Sequence, residues 1–223
     1  MPDKFRFPAV IFDLDGTLVD SAKQVVKSVR YALLKIDDRE TPDADTITLQ
    51  IGKPLPVMLR ELGYPGDQAS SDEFVAEFRP HFARQVAESP PPLYPDVEFV
   101  LEHLHKSGVG LALVTNKHQT QAELVATRTG LARYLQYVHG WQEGRKPKPD
   151  AEPVETALAQ LGAEANQGLM VGDSEQDILA ARAAGVATCA VTHGFRPTLF
   201  LKSLHPDFLI SRLTDLLRVV EQN

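Results

Sequence analysis

Apolar residues in this chain fall into short unbroken runs separated by stretches of helical period. Ala9–Phe12 stops at Asp13. Val109–Val114, interrupted only by Gly110, stops at Thr115. Leu169–Val171 stops at Gly172-Asp173, Ala187–Val191 stops at Thr192-His193, and Phe208–Ile210 is a shorter fifth run. Runs without polar alternation predict strands buried on both faces, as in a parallel sheet. Between them lie apolar stripes of helical spacing: Val97, Val100, Leu101, Leu104; then Ala122, Val125, Ala126; then Val154, Ala157, Leu158, Leu161; then Ile178, Ala181, Ala184. Glycines 108, 130, 162 and 185 follow these stripes, where helix C-termini favour glycine. From residue 96 onward the order reads α-β-α-β-α-β, which predicts a doubly wound, mostly parallel α/β sheet of Rossmann-like type.

Residues 20–92 break this alternation. Val25, Val26, Val29, Leu33 and Ile36 form one helical stripe, with Asp20 and Ser21 as N-cap candidates, and Phe74, Phe78 and Phe82 form another. No buried strand is evident there. The segment Ser89-Pro-Pro-Pro-Leu-Tyr-Pro95 follows, stiff and unable to continue a helix. The expected organisation is therefore an α/β core from residues 1–19 and 93–223, with a helical cap domain inserted at 20–92.

Composition narrows the function classes. Hydrophobic residues make up 43% and charged residues 24%, ordinary globular usage that excludes wholesale disorder and coiled coil. The net charge of −7, without a basic run, argues against nucleic acid or an anionic membrane as partner. One cysteine, Cys189, excludes an internal disulfide and a thiolate cluster. It sits in an apolar run and reads as a buried thiol. Met1 to Pro8 carries charges but no apolar stretch of leader length behind it, and no run reaches the ~20 residues that span a bilayer. A cytoplasmic protein is expected, monomeric or weakly dimeric.

Ligands of open α/β sheets bind beyond the carboxyl ends of the strands, so the residues there carry the chemistry. The first run ends in Asp13-Leu-Asp15-Gly-Thr-Leu18, the second in Thr115-Asn116. The run at 169–171 is preceded by a loop carrying Lys146 and ends in Gly172-Asp173-Ser174, with Asp177 one turn further. Carboxylates from distant parts of the chain thus converge on one edge. Two unit charges 4 Å apart repel by roughly 4 kcal/mol at an effective dielectric near 20. An all-oxygen, carboxylate-rich site of this type suits Mg²⁺. With a lysine added, it would hold a phosphate.

These segments resemble the four motifs of the haloacid dehalogenase superfamily of phosphohydrolases: Asp13–Leu18 the first, Thr115 the second, Lys146 the third, and Gly172–Asp177 the fourth, in family order across essentially the whole chain. The resemblance implies a phosphatase with Asp13 as nucleophile, forming an aspartyl phosphate, and Asp15 as general acid and base. It implies Mg²⁺ on Asp13, the Asp15 backbone carbonyl and Asp173, with Asp177 acting from behind. Thr115 and Asn116 would bind the phosphoryl oxygens, and Lys146 would neutralise charge. Within Arg145-Lys-Pro-Lys-Pro149 the family pattern selects Lys146, leaving Lys148 facing solvent. Asp15 is the second aspartate that haloacid dehalogenases proper lack, so dehalogenation is not expected. Softer likenesses point to phosphoglycolate phosphatases: Thr115-Asn116-Lys117, Leu93-Tyr-Pro-Asp-Val97, Ile51-Gly-Lys-Pro-Leu55 and His193-Gly-Phe195. The expected substrate is a small phosphorylated metabolite, 2-phosphoglycolate first, with Lys53 in the cap as a candidate for substrate specificity. Nucleoside monophosphates, sugar phosphates, pyrophosphate and a sugar phosphomutase reaction remain as alternatives. A phospho-ligand-binding protein without catalysis is a further one.

Overall fold

A computed structural model describes residues 5–37 and 39–221; the first four residues of the amino-terminal segment considered above lie outside the described residues. Six strands form one sheet: β1 Ala9–Phe12, β2 Gly110–His118, β3 Tyr137–Trp141, β4 Gly168–Gly172, β5 Ala187–Val191 and β6 Phe208–Ile210. Their spatial order is β3-β2-β1-β4-β5-β6, and every adjacent pair is parallel. β1 lies between β2 and β4, so the chain leaves it first to one side and later to the other. That topological switch point is where open α/β sheets form ligand crevices.

Alternation within β1 explains its unbroken apolar run. Val10 and Phe12 join one apolar cluster with Leu111, Leu113, Leu169 and Val171. Ala9 and Ile11 join another with Ala112, Val114 and Met170. Each face of the sheet is therefore covered, and successive side chains supply opposite layers. Cys189 is buried in β5, and burial pushes its thiol up to about 12.

Between β1 and β2 lie five helices: α1 Ala22–Ile36, α2 Ala44–Thr48, α3 Leu55–Glu61, α4 Gln68–Glu88 and α5 Val97–Ser107. The remainder are α6 Gln119–Arg128, α7 Glu152–Leu161, α8 Glu175–Ala183, α9 Thr198–Ser203 and α10 Leu216–Val220. Residues 20–92 contain no strand among the described residues. Phe74, Phe78 and Phe82 of α4 pack in the same apolar cluster as Val25, Val29 and Leu33 of α1. The chain leaves and rejoins the sheet layer along one seam. The Asp20 amide donates to the Pro92 carbonyl at 2.9 Å, and the Tyr94 amide donates to the Leu18 carbonyl at 3.0 Å.

Three local expectations change. β2 runs on through Thr115-Asn116-Lys117-His118, with its pairing to β3 shifted between Val114 and His118. β3 has no apolar run: it is a half-buried edge strand of sequence Tyr-Val-His-Gly-Trp. Ser21 occupies the N-cap position of α1, yet its side chain caps nothing, because its hydroxyl donates to Asp15 at 2.5 Å.

Candidate active site

The ends of β1, β2 and β4 and the loop before α7 bring one cluster together. Asp13 follows β1 directly, its amide still donating to the Val171 carbonyl at 2.9 Å. Asp173 follows β4, and Asp177 lies in the first turn of α8. All three are buried, and one oxygen of each lies within 4.8 Å of the others. The capping box of α8 aims Asp177: its Oδ2 accepts from the Ser174 amide at 3.0 Å and from the Ser174 hydroxyl at 2.7 Å. Asp173 Oδ2 accepts from the Phe195 amide at 2.7 Å. Two glycines let the backbone approach it: a Cβ on Gly16 or on Gly194 would stand 2.3 Å from Asp173 Oδ2.

The lysine of the cluster is Lys148, not Lys146. Lys148 is only 2% exposed. Its Nζ donates to Asp13 Oδ1 at 2.7 Å, Asp177 Oδ1 at 2.5 Å and the Val114 carbonyl at 2.8 Å. Lys146 is exposed, and its Nζ pairs with Asp150 at 3.1 Å. The difference follows from how Asn116 grips the loop. Its Oδ1 accepts from the Lys148 amide at 2.8 Å, and its Nδ2 donates to the Lys148 carbonyl at 3.0 Å. That clamp turns Lys148 inward and leaves Lys146 in solvent.

Electrostatics mark the site as deprived of water. Burial pushes the Asp13 carboxyl well above the ordinary carboxylate range against the pull of Lys148, and Asp177 and Asp173 push it further. Burial, then Asp177, pushes Asp173 up to about 7. Burial acts to lower the Lys148 ammonium, but Asp13 and Asp177 outweigh it and hold the pKa above the ordinary lysine value. Three desolvated oxygen donors of like charge are a donor set for a divalent cation, which would relieve their repulsion.

A family model described as haloacid dehalogenase-like hydrolase matches residues 10–191. The chain belongs to the haloacid dehalogenase-like hydrolases. Among relatives of this hydrolase, the plasmid-borne phosphoglycolate phosphatase of Cupriavidus necator is 34% identical over 92% of this chain and 89% of its own. The pyrophosphatase PpaX of Bacillus velezensis is 29% identical over 98% of each chain. A solved structure from Haemophilus somnus, described as a predicted phosphoglycolate phosphatase, superimposes with a TM-score of 0.85 at 27% identity, covering 96% of this chain and 98% of that one.

The hydrolase site places the other expected residues as follows. Asp15 is buried; its Oδ1 accepts from Ser21 and its Oδ2 pairs with Lys117 Nζ at 3.0 Å. Thr115 is buried in β2, next to the Val114 carbonyl that Lys148 uses, and its Oγ1 accepts from the Lys117 amide at 3.2 Å. Lys53 is not brought to the acidic cluster: its Nζ donates to Gln50 at 2.8 Å and lies 4.0 Å from Glu61. Its neighbours do reach the sheet layer. The Gly52 carbonyl accepts from Asn116 Nδ2 at 2.9 Å, and the Ile51 carbonyl accepts from Arg196 Nη2 at 3.1 Å.

Sequence reasoning missed Lys117 and Arg196. Lys117 stood inside a noted motif without a role, and its place on the continued β2 was the available signal. Arg196 is buried, bonded through Nε to Glu175 at 2.9 Å. It directly follows His193-Gly-Phe195 beyond the Ala187–Val191 run, but no spacing or motif singled out an arginine there.

Proposed function

We propose that this hydrolase is a Mg²⁺-dependent phosphatase of small phosphorylated metabolites, 2-phosphoglycolate first among them, acting through an aspartyl phosphate on Asp13. The observation that carries this reading is the Asp13 carboxylate at the switch point, held by the buried Lys148 ammonium and facing Asp173 and Asp177. Once ionised, as a bound cation would favour, the Asp13 carboxylate is a nucleophile that needs no separate base. Asp13 and Asp173, with the Asp15 backbone carbonyl, would hold Mg²⁺, which when bound offsets carboxylate repulsion and draws electron density from a phosphoryl oxygen. Asp177 would act from behind these ligands, holding the Lys148 ammonium through its Oδ1. Asp13 attacks phosphorus and the ester bond breaks. Asp15 gives its proton to the departing oxygen and later takes one from the attacking water. Thr115 and the Asn116 backbone amide bind phosphoryl oxygens, and Lys148 takes the charge-neutralising part first expected of Lys146.

Residues 20–92 act as a cap closing over the site, a reading supported by the bonds from the 51–52 loop to Asn116 and Arg196. Pyrophosphate is the second substrate reading, favoured by the likeness to PpaX along nearly the whole chain. Phosphate release from 2-phosphoglycolate, pyrophosphate, nucleoside monophosphates and sugar phosphates, with Mg²⁺ and with chelator, tests the proposal. Asp13→Asn is expected to lower the Mg²⁺-dependent rate at least about a thousandfold with the fold intact. Turnover within tenfold of wild type would remove Asp13 as nucleophile.

A further inference from the structure

We infer that Lys117 is the residue that selects substrates whose leaving group carries a second anion, an inference that rests on the phosphatase reading above. Asp15 is the group that meets the departing oxygen, so whatever lies beside its carboxylate faces the part of the substrate that leaves. Lys117 Nζ lies 3.0 Å from Asp15 Oδ2, on a side chain only 7% exposed. It also stands 4.2 Å above the Phe82 ring of α4, an aromatic face that favours a cation there. Strand and inserted helix together therefore hold one desolvated ammonium at the leaving-group side.

Other cations near the site have protein partners that do not include Asp15. Lys148 spends its three donors on Asp13, Asp177 and the Val114 carbonyl. Arg196 is bound through Nε to Glu175 and through Nη2 to the Ile51 carbonyl, while its buried Nη1 has no hydrogen-bond partner among the described residues. Lys53 is bound to Gln50 on its own loop. The Lys117 ammonium has three donors and one carboxylate partner among the described residues. It can hold Asp15 and a substrate anion at once.

During transfer the bond from Asp13 oxygen to phosphorus forms, and the bond from phosphorus to the ester oxygen breaks. The electron pair of that bond stays on the ester oxygen, which takes the Asp15 proton. Asp15 is then anionic beside an alcohol that bears its own carboxylate, and Lys117 balances both. Phosphoglycolate and pyrophosphate both place an anionic group on the leaving side, which gives one chemical reason for a site to accept either. A simple alkyl phosphate offers none.

The test compares 2-phosphoglycolate with 2-hydroxyethyl phosphate, which carries a neutral hydroxymethyl group in place of the carboxylate, using the full-length protein with Mg²⁺. Lys117→Gln keeps a donor toward Asp15 and removes the charge. It is expected to slow both esters but to lower the ratio of their kcat/KM values by about thirtyfold, mostly through the KM of phosphoglycolate. That fold-change corresponds to the roughly 2 kcal/mol of a hydrogen bond to a charged group. Lys117→Arg, which keeps the charge, is expected to hold the ratio within about fivefold, and it decides the matter should the glutamine variant fail to fold. Equal losses on both esters would overturn the inference and leave Lys117 as a residue that only orients Asp15. A wild-type enzyme that prefers the hydroxyl ester would instead overturn the substrate reading, and the inference with it.

Discussion

Lys148 shows how much of this site depends on one buried charge. Its ammonium sits between two carboxylates and a carbonyl, and all four groups are buried. Removing one member of a buried ion pair leaves the others uncompensated, at a typical loss of 3–5 kcal/mol. Lys148→Met is therefore expected to lower stability by about that amount in urea unfolding and to abolish phosphate release. Lys146→Ala removes only an exposed pair with Asp150, worth roughly 0–1 kcal/mol, and should keep wild-type turnover. The opposite pattern would restore Lys146 to the site. The sequence could not separate the two lysines because the loop has no period. Which cation turns inward is decided by Asn116, 32 residues away, gripping the backbone of Lys148. Asp13 and Asp173 were legible because each sits just beyond the end of a continuous apolar run, and Asp177 because it follows one helical turn after Asp173. There the position of the strand fixes the position of the residue.

At the level of elements, legibility followed burial. Strands covered on both faces, β1, β4 and β5, announce themselves as apolar runs. β3 does not, because an edge strand with His139 turned inward carries no such run. Its glycine carries the information instead. A Cβ on Gly140 would lie 2.5 Å from Gln119 Cα and 2.8 Å from the Gln119 nitrogen. Both are backbone atoms at the start of α6, which cannot rotate aside. The Gly140 amide also donates to the Gln119 side chain, so strand and helix are fastened at this point. Gly140→Ala is expected to lower stability by about 1–3 kcal/mol, as overpacking does elsewhere, read as a lowered urea midpoint with unchanged slope. An unchanged midpoint would show that β3 and α6 separate without penalty. The helices between β1 and β2 were legible from their apolar stripes. Their contacts with the sheet layer were not, since a bond such as Gly52 carbonyl to Asn116 has no sequence period.

The molecule as a whole balances a buried acidic cluster against its own stability, and that balance has a pH dependence with a definite sign. Burial and Asp177 push Asp173 up to about 7 from an ordinary 3.8. The folded chain therefore keeps a proton that the unfolded chain has released. The stability this contributes is fully present below about pH 4 and is lost as pH rises through 7, by roughly 4 kcal/mol at most. Asp13, raised for the same first reason, acts in the same direction. Lys148 does not oppose them between pH 5 and 8, because its pKa is held above the ordinary lysine value. Metal-free protein should accordingly melt at lower temperature at pH 8 than at pH 5.5. Mg²⁺ needs the ionised carboxylates, so its effect should grow over the same interval. At a hundred times its dissociation constant it would add about 2.7 kcal/mol at pH 8, or roughly 5–10 °C in melting temperature for a chain this size. At pH 5.5 the gain should be much smaller. Melting curves at the two pH values, with Mg²⁺ and with chelator, check this directly. A metal effect independent of pH, or a chelated protein more stable at pH 8, would mean that the cluster is ionised in the fold without a cation. Lys148 alone would then have to offset the repulsion among Asp13, Asp173 and Asp177.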